Sequence, residues 1–122
     1  MERARVFGKR ILLVDDDPVA RESMEVLLRI DRHTVVQAQT GAEAVHLFTG
    51  EPFDLVIIDY LMPGMKGSEV ALTIKHMAPD QPIIMVTGYL EKLSESDKPV
   101  DAVLAKPFGV EVFRETIAKL LS

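Results

Sequence analysis

The sequence predicts an α/β fold, a doubly wound parallel sheet of five strands with helices on both faces. Three observations carry that prediction. Five short runs rich in Val, Ile and Leu recur along the 122 residues, each of a length suited to a strand buried on both faces. Between most of them lie segments whose apolar residues repeat at a period near 3.6. Polar or turn-forming residues follow the strands at once, as they do where a buried strand opens into a loop. Strands joined by helical crossovers pair in parallel, and the right-handedness of those crossovers leaves few topologies.

The elements follow in order. After a short basic lead, Ile11-Leu12-Leu13-Val14 is the first strand, and Asp15-Asp16-Asp17-Pro18 comes directly after it. Pro18 suits the first helical position and Asp17 the N-cap, where its carboxylate accepts a backbone N–H that the helix leaves unpaired. The helix then presents Ala20, Ser23, Met24, Leu27 and Leu28 on one face. Thr34 to Ala38 is a second strand, polar enough to sit at an edge. Gly41 to Thr49 is a short helix burying Ala44, Val45 and Phe48, stopped by Gly50 and Pro52. Phe53 to Asp59 is the third strand, closed by a carboxylate just before the Pro63-Gly64 turn.

Beyond Gly67, residues Val70, Ala71, Ile74, Met77 and Ala78 mark an amphipathic helix ended by Pro79. Ile83-Ile84-Met85-Val86 is the fourth strand and runs into Thr87-Gly88. Tyr89 to Pro99 is charged and weakly periodic, which predicts at most a short or loose fourth helix. Ala102-Val103-Leu104 is the fifth strand, followed by Lys106-Pro107-Phe108. The last helix places Val110, Phe113, Ile117, Leu120 and Leu121 on one face.

The bulk numbers bound the function. The length predicts one domain over 1–122, with its core in 9–121 and a lead of 1–8. Lys+Arg 14 against Asp+Glu 19 gives a net charge of −5, which argues against direct nucleic-acid or anionic-membrane partners. With no cysteine there is no disulfide, thiolate metal site or thiol nucleophile. No apolar run approaches the roughly 20 residues that span a bilayer, and the N-terminus lacks the apolar core of a signal peptide. A soluble cytoplasmic protein is the expectation. His33, His46 and His76 are scattered and read as surface or helix-flank residues.

Parallel α/β sheets carry their sites at the carboxyl ends of the strands, where strand order reverses. The residues directly after strands one, three, four and five include Asp15 and Asp16, Asp59, Thr87 and Lys106. All are therefore expected on one rim. Three carboxylates gathered there repel, at roughly 4 kcal/mol per pair for ~4 Å and an effective dielectric of 20. They need a cation or a shared proton. Hard oxygen donors without nearby His or Cys favour Mg²⁺, which keeps open positions for phosphate oxygens. Lys106 adds a positive charge and Thr87 a hydroxyl. A carboxylate beside a phosphoryl group so held can act as nucleophile, and Asp59, at the end of the central strand, is the best placed.

The sequence resembles the receiver domains of two-component response regulators from Lys9 to Leu121. The resemblance rests on four stretches, each after a strand: Ile11-Leu12-Leu13-Val14-Asp15-Asp16-Asp17, Asp59 to Gly67, Met85-Val86-Thr87-Gly88 and Ala105-Lys106-Pro107-Phe108. It implies the flavodoxin-like (βα)5 three-layer sandwich with strand order 2-1-3-4-5. It implies that Asp59 accepts phosphate from a histidine kinase or histidine phosphotransfer protein, switching binding of a downstream effector or fused output domain. Asp16 and Asp59 would bind Mg²⁺ directly, Asp15 largely through water, and the backbone carbonyl of Leu61 would complete the protein ligands. Thr87 would turn toward the phosphoryl group and Lys106 would pair with it. The Lys106-Pro107 bond is expected to be cis. The chain would be no ordinary enzyme, but would catalyse its own phosphoryl transfer and slow autodephosphorylation. A homodimer through the fourth-helix, fifth-strand and fifth-helix face is a further expectation.

Two other readings stay open at this point. Asp15-Asp16-Asp17-Pro18-Val19 also fits the Asp-x-Asp-x-Val pattern of haloacid-dehalogenase-type phosphatases, with Asp15 as nucleophile, Asp17 as general acid, Thr87 as phosphate donor and Lys106 as charge clamp. That reading leaves Asp59 without a role. The other is an interaction module that works without phosphorylation. The chain also departs from the family pattern. Val103 stands where many receivers carry an aromatic residue, Lys66 stands where Asp is frequent, and Leu61 and Tyr89 would, by the resemblance, flank the path of a hydrolytic water.

Overall fold

The computed structural model describes residues 5–88 and 100–122. Five strands run β1 Arg10–Val14, β2 Thr34–Ala38, β3 Leu55–Asp59, β4 Ile83–Thr87 and β5 Ala102–Ala105. Among the described residues four helices join or follow them: α1 Pro18–Ile30, α2 Gly41–Gly50, α3 Gly67–Met77 and α4 Val110–Leu121. The expected short helix within Tyr89 to Pro99 lies outside the described residues.

Every strand pair is parallel and the order is β2-β1-β3-β4-β5. The pleat sends alternate side chains to opposite faces. Ile11, Leu13, Leu55, Ile57, Ile84 and Val86 point to one face, where Met24 and Leu28 of α1 and Phe113 and Ile117 of α4 cover them. Leu12, Val14, Val56, Ile58 and Ile83 point to the other, under Ala44 of α2 and Val70, Ala71 and Ile74 of α3. This double burial explains why β3 and β4 are apolar until their last residues, Asp59 and Thr87. Each such side chain contributes about 2 kcal/mol on leaving water. β2, at the sheet's edge, keeps exposed Thr34 and half-buried Gln37, as its more polar sequence predicts.

Local signals set the boundaries. The Asp17 carboxylate accepts from the Val19 N–H at 3.0 Å, capping α1 with Pro18 behind it. Thr40 caps α2 by accepting from the Glu43 N–H at 3.1 Å. Three details differ from the periodicity. The inward stripe of α1 is Arg21, Met24 and Leu28, while Ser23 is exposed. Met77 and Val110 face solvent because each lies in the terminal turn of its helix, past the covered stripe. His33 is buried rather than a surface residue: its Nδ1 accepts the Lys9 N–H at 3.0 Å, and burial holds its pKa below the usual histidine value.

Candidate functional site

Strand order reverses between β1 and β3, since β1 is followed in sequence by its outer neighbour β2 and only then by β3. The crevice beyond the carboxyl ends of these two strands is where such sheets bind ligands. β1 ends in register with β3 at Val14 and Ile58, so Asp15 and Asp59 emerge side by side. One carboxylate oxygen from each of Asp15, Asp16 and Asp59 lies within 4.8 Å of the others. Among the described residues this is the one acidic group with metal-binding spacing. Asp15 and Asp59 are buried, and Asp16 is exposed at the mouth.

Lys106 reaches the same spot from the end of β5. Its ammonium donates to Asp59 Oδ1 at 3.0 Å and stands 3.9 Å from Asp15 Oδ2. The backbone aims it: the Lys106 N–H donates to the Thr87 carbonyl at 2.7 Å, and the following bond to Pro107 is cis. Thr87 closes β4, almost fully buried, between the Asp59 and Lys106 strand ends. The loop after Asp59 is tied back by the Tyr60 N–H to the Val86 carbonyl at 2.9 Å and the Gly67 N–H to the Tyr60 carbonyl at 3.2 Å. Leu61 lies in that loop with its side chain half exposed. Gly67 must be small, because a Cβ there would come within 2.3 Å of the Asp59 carbonyl oxygen.

The electrostatics follow from burial. Desolvation raises the Asp59 pKa to about 6; Lys106 lowers it by its hydrogen bond and charge, while Asp15 and Asp16 push it up. Burial likewise raises Asp15, against a hydrogen bond from the Asp17 N–H and the charge of Lys106. Asp15 Oδ2 is buried without a hydrogen-bond partner. An orphaned buried oxygen beside two more carboxylates is the donor set that a hard divalent cation satisfies. The residues present therefore fit a divalent metal site.

The sequence-predicted residues thus come together: Asp15, Asp16, Asp59, Thr87 and Lys106 on one rim, with Leu61 two residues beyond Asp59. Asp17 is engaged as a helix cap. Tyr89 lies outside the described residues. Arg21 went unrecognised, though its spacing from Met24 and Leu28 puts it on the buried stripe of α1.

Residues 11–118 match the model of the response regulator receiver domain. The response regulator MprA of Mycolicibacterium vanbaalenii is 35% identical over 115 residues, covering 92% of this chain and 50% of that protein. The chain spans about half the length of the curated relatives it matches. The response regulator TrrA of Thermotoga maritima, solved in complex with Mg(2+)-BeF, is 37% identical at a TM-score of 0.85, covering 93% of this chain and 99% of that one. A chain in the structure of the histidine kinase ThkA in complex with TrrA aligns at a TM-score of 0.86 and 37% identity, with coverage of 93% and 99%.

Proposed function

The chain belongs to the response regulator receiver domain family, and on that premise we propose that Asp59 accepts a phosphoryl group from a phosphohistidine donor in a Mg²⁺-dependent transfer. The donor is a histidine kinase or histidine phosphotransfer protein, a reading supported by the kinase complex formed by the similar protein TrrA. The single observation that carries it is the convergence of Lys106 and the acidic trio on one oxygen-lined spot at the end of β3.

Asp15, Asp16, Asp59 and the Leu61 backbone carbonyl would hold the ion, which supplies positive charge against the acids and the incoming phosphoryl oxygens. The chain's own groups do the rest. An Asp59 carboxylate oxygen forms the new bond to phosphorus as the phosphorus–nitrogen bond to the donor histidine breaks, the electron pair staying on the imidazole. Lys106 stands beside Asp59 Oδ1 and offers its charge to the group once transferred. Thr87, at the adjacent strand end, contributes its hydroxyl. The phosphorylated domain then changes its binding to an effector protein or to an output domain in the same protein.

This reading covers residues 1–122 as one receiver domain, places it in the cytoplasm, and allows a homodimer through the face that includes β5 and the last helix. No helix among the described residues is long and apolar enough to cross a membrane. Against a phosphatase with Asp15 as nucleophile stands the use of Asp17 as a helix cap, which occupies the acid such a mechanism needs.

A radiolabelled small-molecule phosphodonor with Mg²⁺ tests it. Label stable on Asp59 and lost in Asp59→Asn is expected. Turnover with label on Asp15 would point to a phosphatase, and no labelling at all to a module that works without phosphate.

A further inference from the structure

Arg21 is buried, with 8% of its surface exposed, and among the described residues no carboxylate lies within ion-pairing distance of it. Burying a guanidinium is costly unless its N–H groups are well used. Here Nη1 donates to the Asp15 backbone carbonyl at 2.8 Å and Nε to Gln37 Oε1 at 2.6 Å. The Gln37 side-chain amide in turn donates to Glu25 Oε1, and Glu25 Oε2 accepts from Arg29 Nε at 2.7 Å. An aliphatic residue would fill the same stripe of α1, beside Met24 and Leu28, without these requirements.

The target of Nη1 is informative. The β1–β3 ladder ends at Val14 and Ile58, so the Asp15 carbonyl lies past the last strand pair. The Asp15 N–H is still held by the Ala38 carbonyl at 3.1 Å. The carbonyl belongs to the peptide that joins Asp15 to Asp16, whose plane sets the starting direction of both carboxylates. We infer that Arg21 is a positioning residue for the acidic pocket: held in orientation by Gln37, it fixes the Asp15–Asp16 peptide and thereby the spacing of the two acids. It touches neither phosphate nor metal. This rests on the reading that the acids hold a divalent cation.

Manganese binding, followed by loss of the free Mn²⁺ spin-resonance signal, tests it without any phosphoryl transfer. Outer-shell partners of metal ligands are worth about tenfold in affinity at the low end. Arg21→Met is expected to weaken Mn²⁺ binding about tenfold and to shift the Asp16 amide resonance before metal is added. Arg21→Lys keeps the charge without the fork and should fall between the two. Gln37→Leu leaves Arg21 intact but releases its guanidinium, and should weaken binding several-fold in a protein that still melts cooperatively. If Arg21→Met does not fold, Gln37→Leu decides. Wild-type affinity in either folded variant overturns the inference, as does wild-type affinity in Arg21→Lys beside a weak Arg21→Met, which would assign the effect to charge alone. Failure of the wild-type protein to bind Mn²⁺ removes the metal reading itself, and the inference with it.

Discussion

The Lys106 ammonium lies 3.0 Å from Asp59 Oδ1 and 3.9 Å from Asp15 Oδ2, so one cation from the fifth strand bridges acids from the first and third. Its hydrogen bond and charge oppose the burial that raises Asp59. Replacing Lys106 by Met should therefore move the Asp59 pKa above about 6, since the charge and hydrogen bond that lower it are gone. Carboxyl carbon NMR titration of the metal-free protein measures this. An unchanged value would mean that the pair is not formed in solution.

Because the Asp59 pKa is raised on folding, the folded chain binds that proton more tightly than the unfolded chain. The resulting stabilisation is present below the unfolded carboxylate value and is lost as pH rises through about 6. Asp15, also raised, adds in the same direction. Urea unfolding without metal should show the stability of the wild type relative to Asp59→Asn falling by roughly 3 kcal/mol across this window; the difference cancels Glu25 and His33, whose lowered pKa values push stability the other way. Millimolar Mg²⁺ should reverse the trend above pH 6, adding about 3 kcal/mol at a hundredfold excess over Kd. A difference between wild type and Asp59→Asn that stays flat or rises between pH 4 and 6 would contradict the burial argument.

Gly67 begins α3 against the backbone of Asp59. An added Cβ meets the Asp59 carbonyl oxygen at 2.3 Å and the Tyr60 Cα at 3.0 Å, and neither can swing aside. Gly67→Ala should cost roughly 1–3 kcal/mol in chemical denaturation and weaken divalent-ion binding with it. Gly64 is a useful contrast: it has φ +76 but open space around it. Gly64→Ala should cost only about 1 kcal/mol, from backbone strain, and leave metal affinity alone.

Leu61 lies two residues beyond Asp59 with its side chain half exposed, and on the proposed function a polar side chain there would orient an attacking water. Leucine cannot. Leu61→Asn should shorten the lifetime of the aspartyl phosphate about tenfold, ~1.4 kcal/mol in the barrier, in a filter assay of retained label. Equal lifetimes would show that this position does not govern hydrolysis.

Val103 lies half-buried in β5, opposite Met85 of β4, and carries no ring to turn inward. Addition of a beryllofluoride phosphoryl mimic should therefore give large amide shifts around Asp59, Thr87 and Lys106 but small ones at Val103 and its neighbours. Large shifts across β5 would show that an aromatic residue is not needed to carry the signal there.

Much of this protein was legible one residue at a time. The apolar runs ending in Asp59 and Thr87, the Asp17-Pro18 cap and the polar second strand each state their structure locally, because burial on two faces and a helix start leave direct marks on composition. The rim followed from one general rule about parallel sheets. What periodicity blurred were residues whose roles depend on distant neighbours. His33 has no local mark of burial; it lies buried with its ring nitrogen accepting the distant Lys9 N–H. Arg21 sits at apolar spacing but is charged, and only the Asp15 carbonyl and Gln37 explain it.

Which chemical groups end the strands can be read from the residues alone, since strand length and turn residues are short-range properties. How far apart those groups stand is a property of the folded chain. The 3.0 Å contact between Lys106 and Asp59, the 4.8 Å cluster of acids and the Asp15 oxygen left without a hydrogen bond arise from strand register and helix docking between residues up to 91 positions apart (Asp15 to Lys106). Burial there, rather than residue type, turns an ordinary aspartate into one with a pKa of about 6.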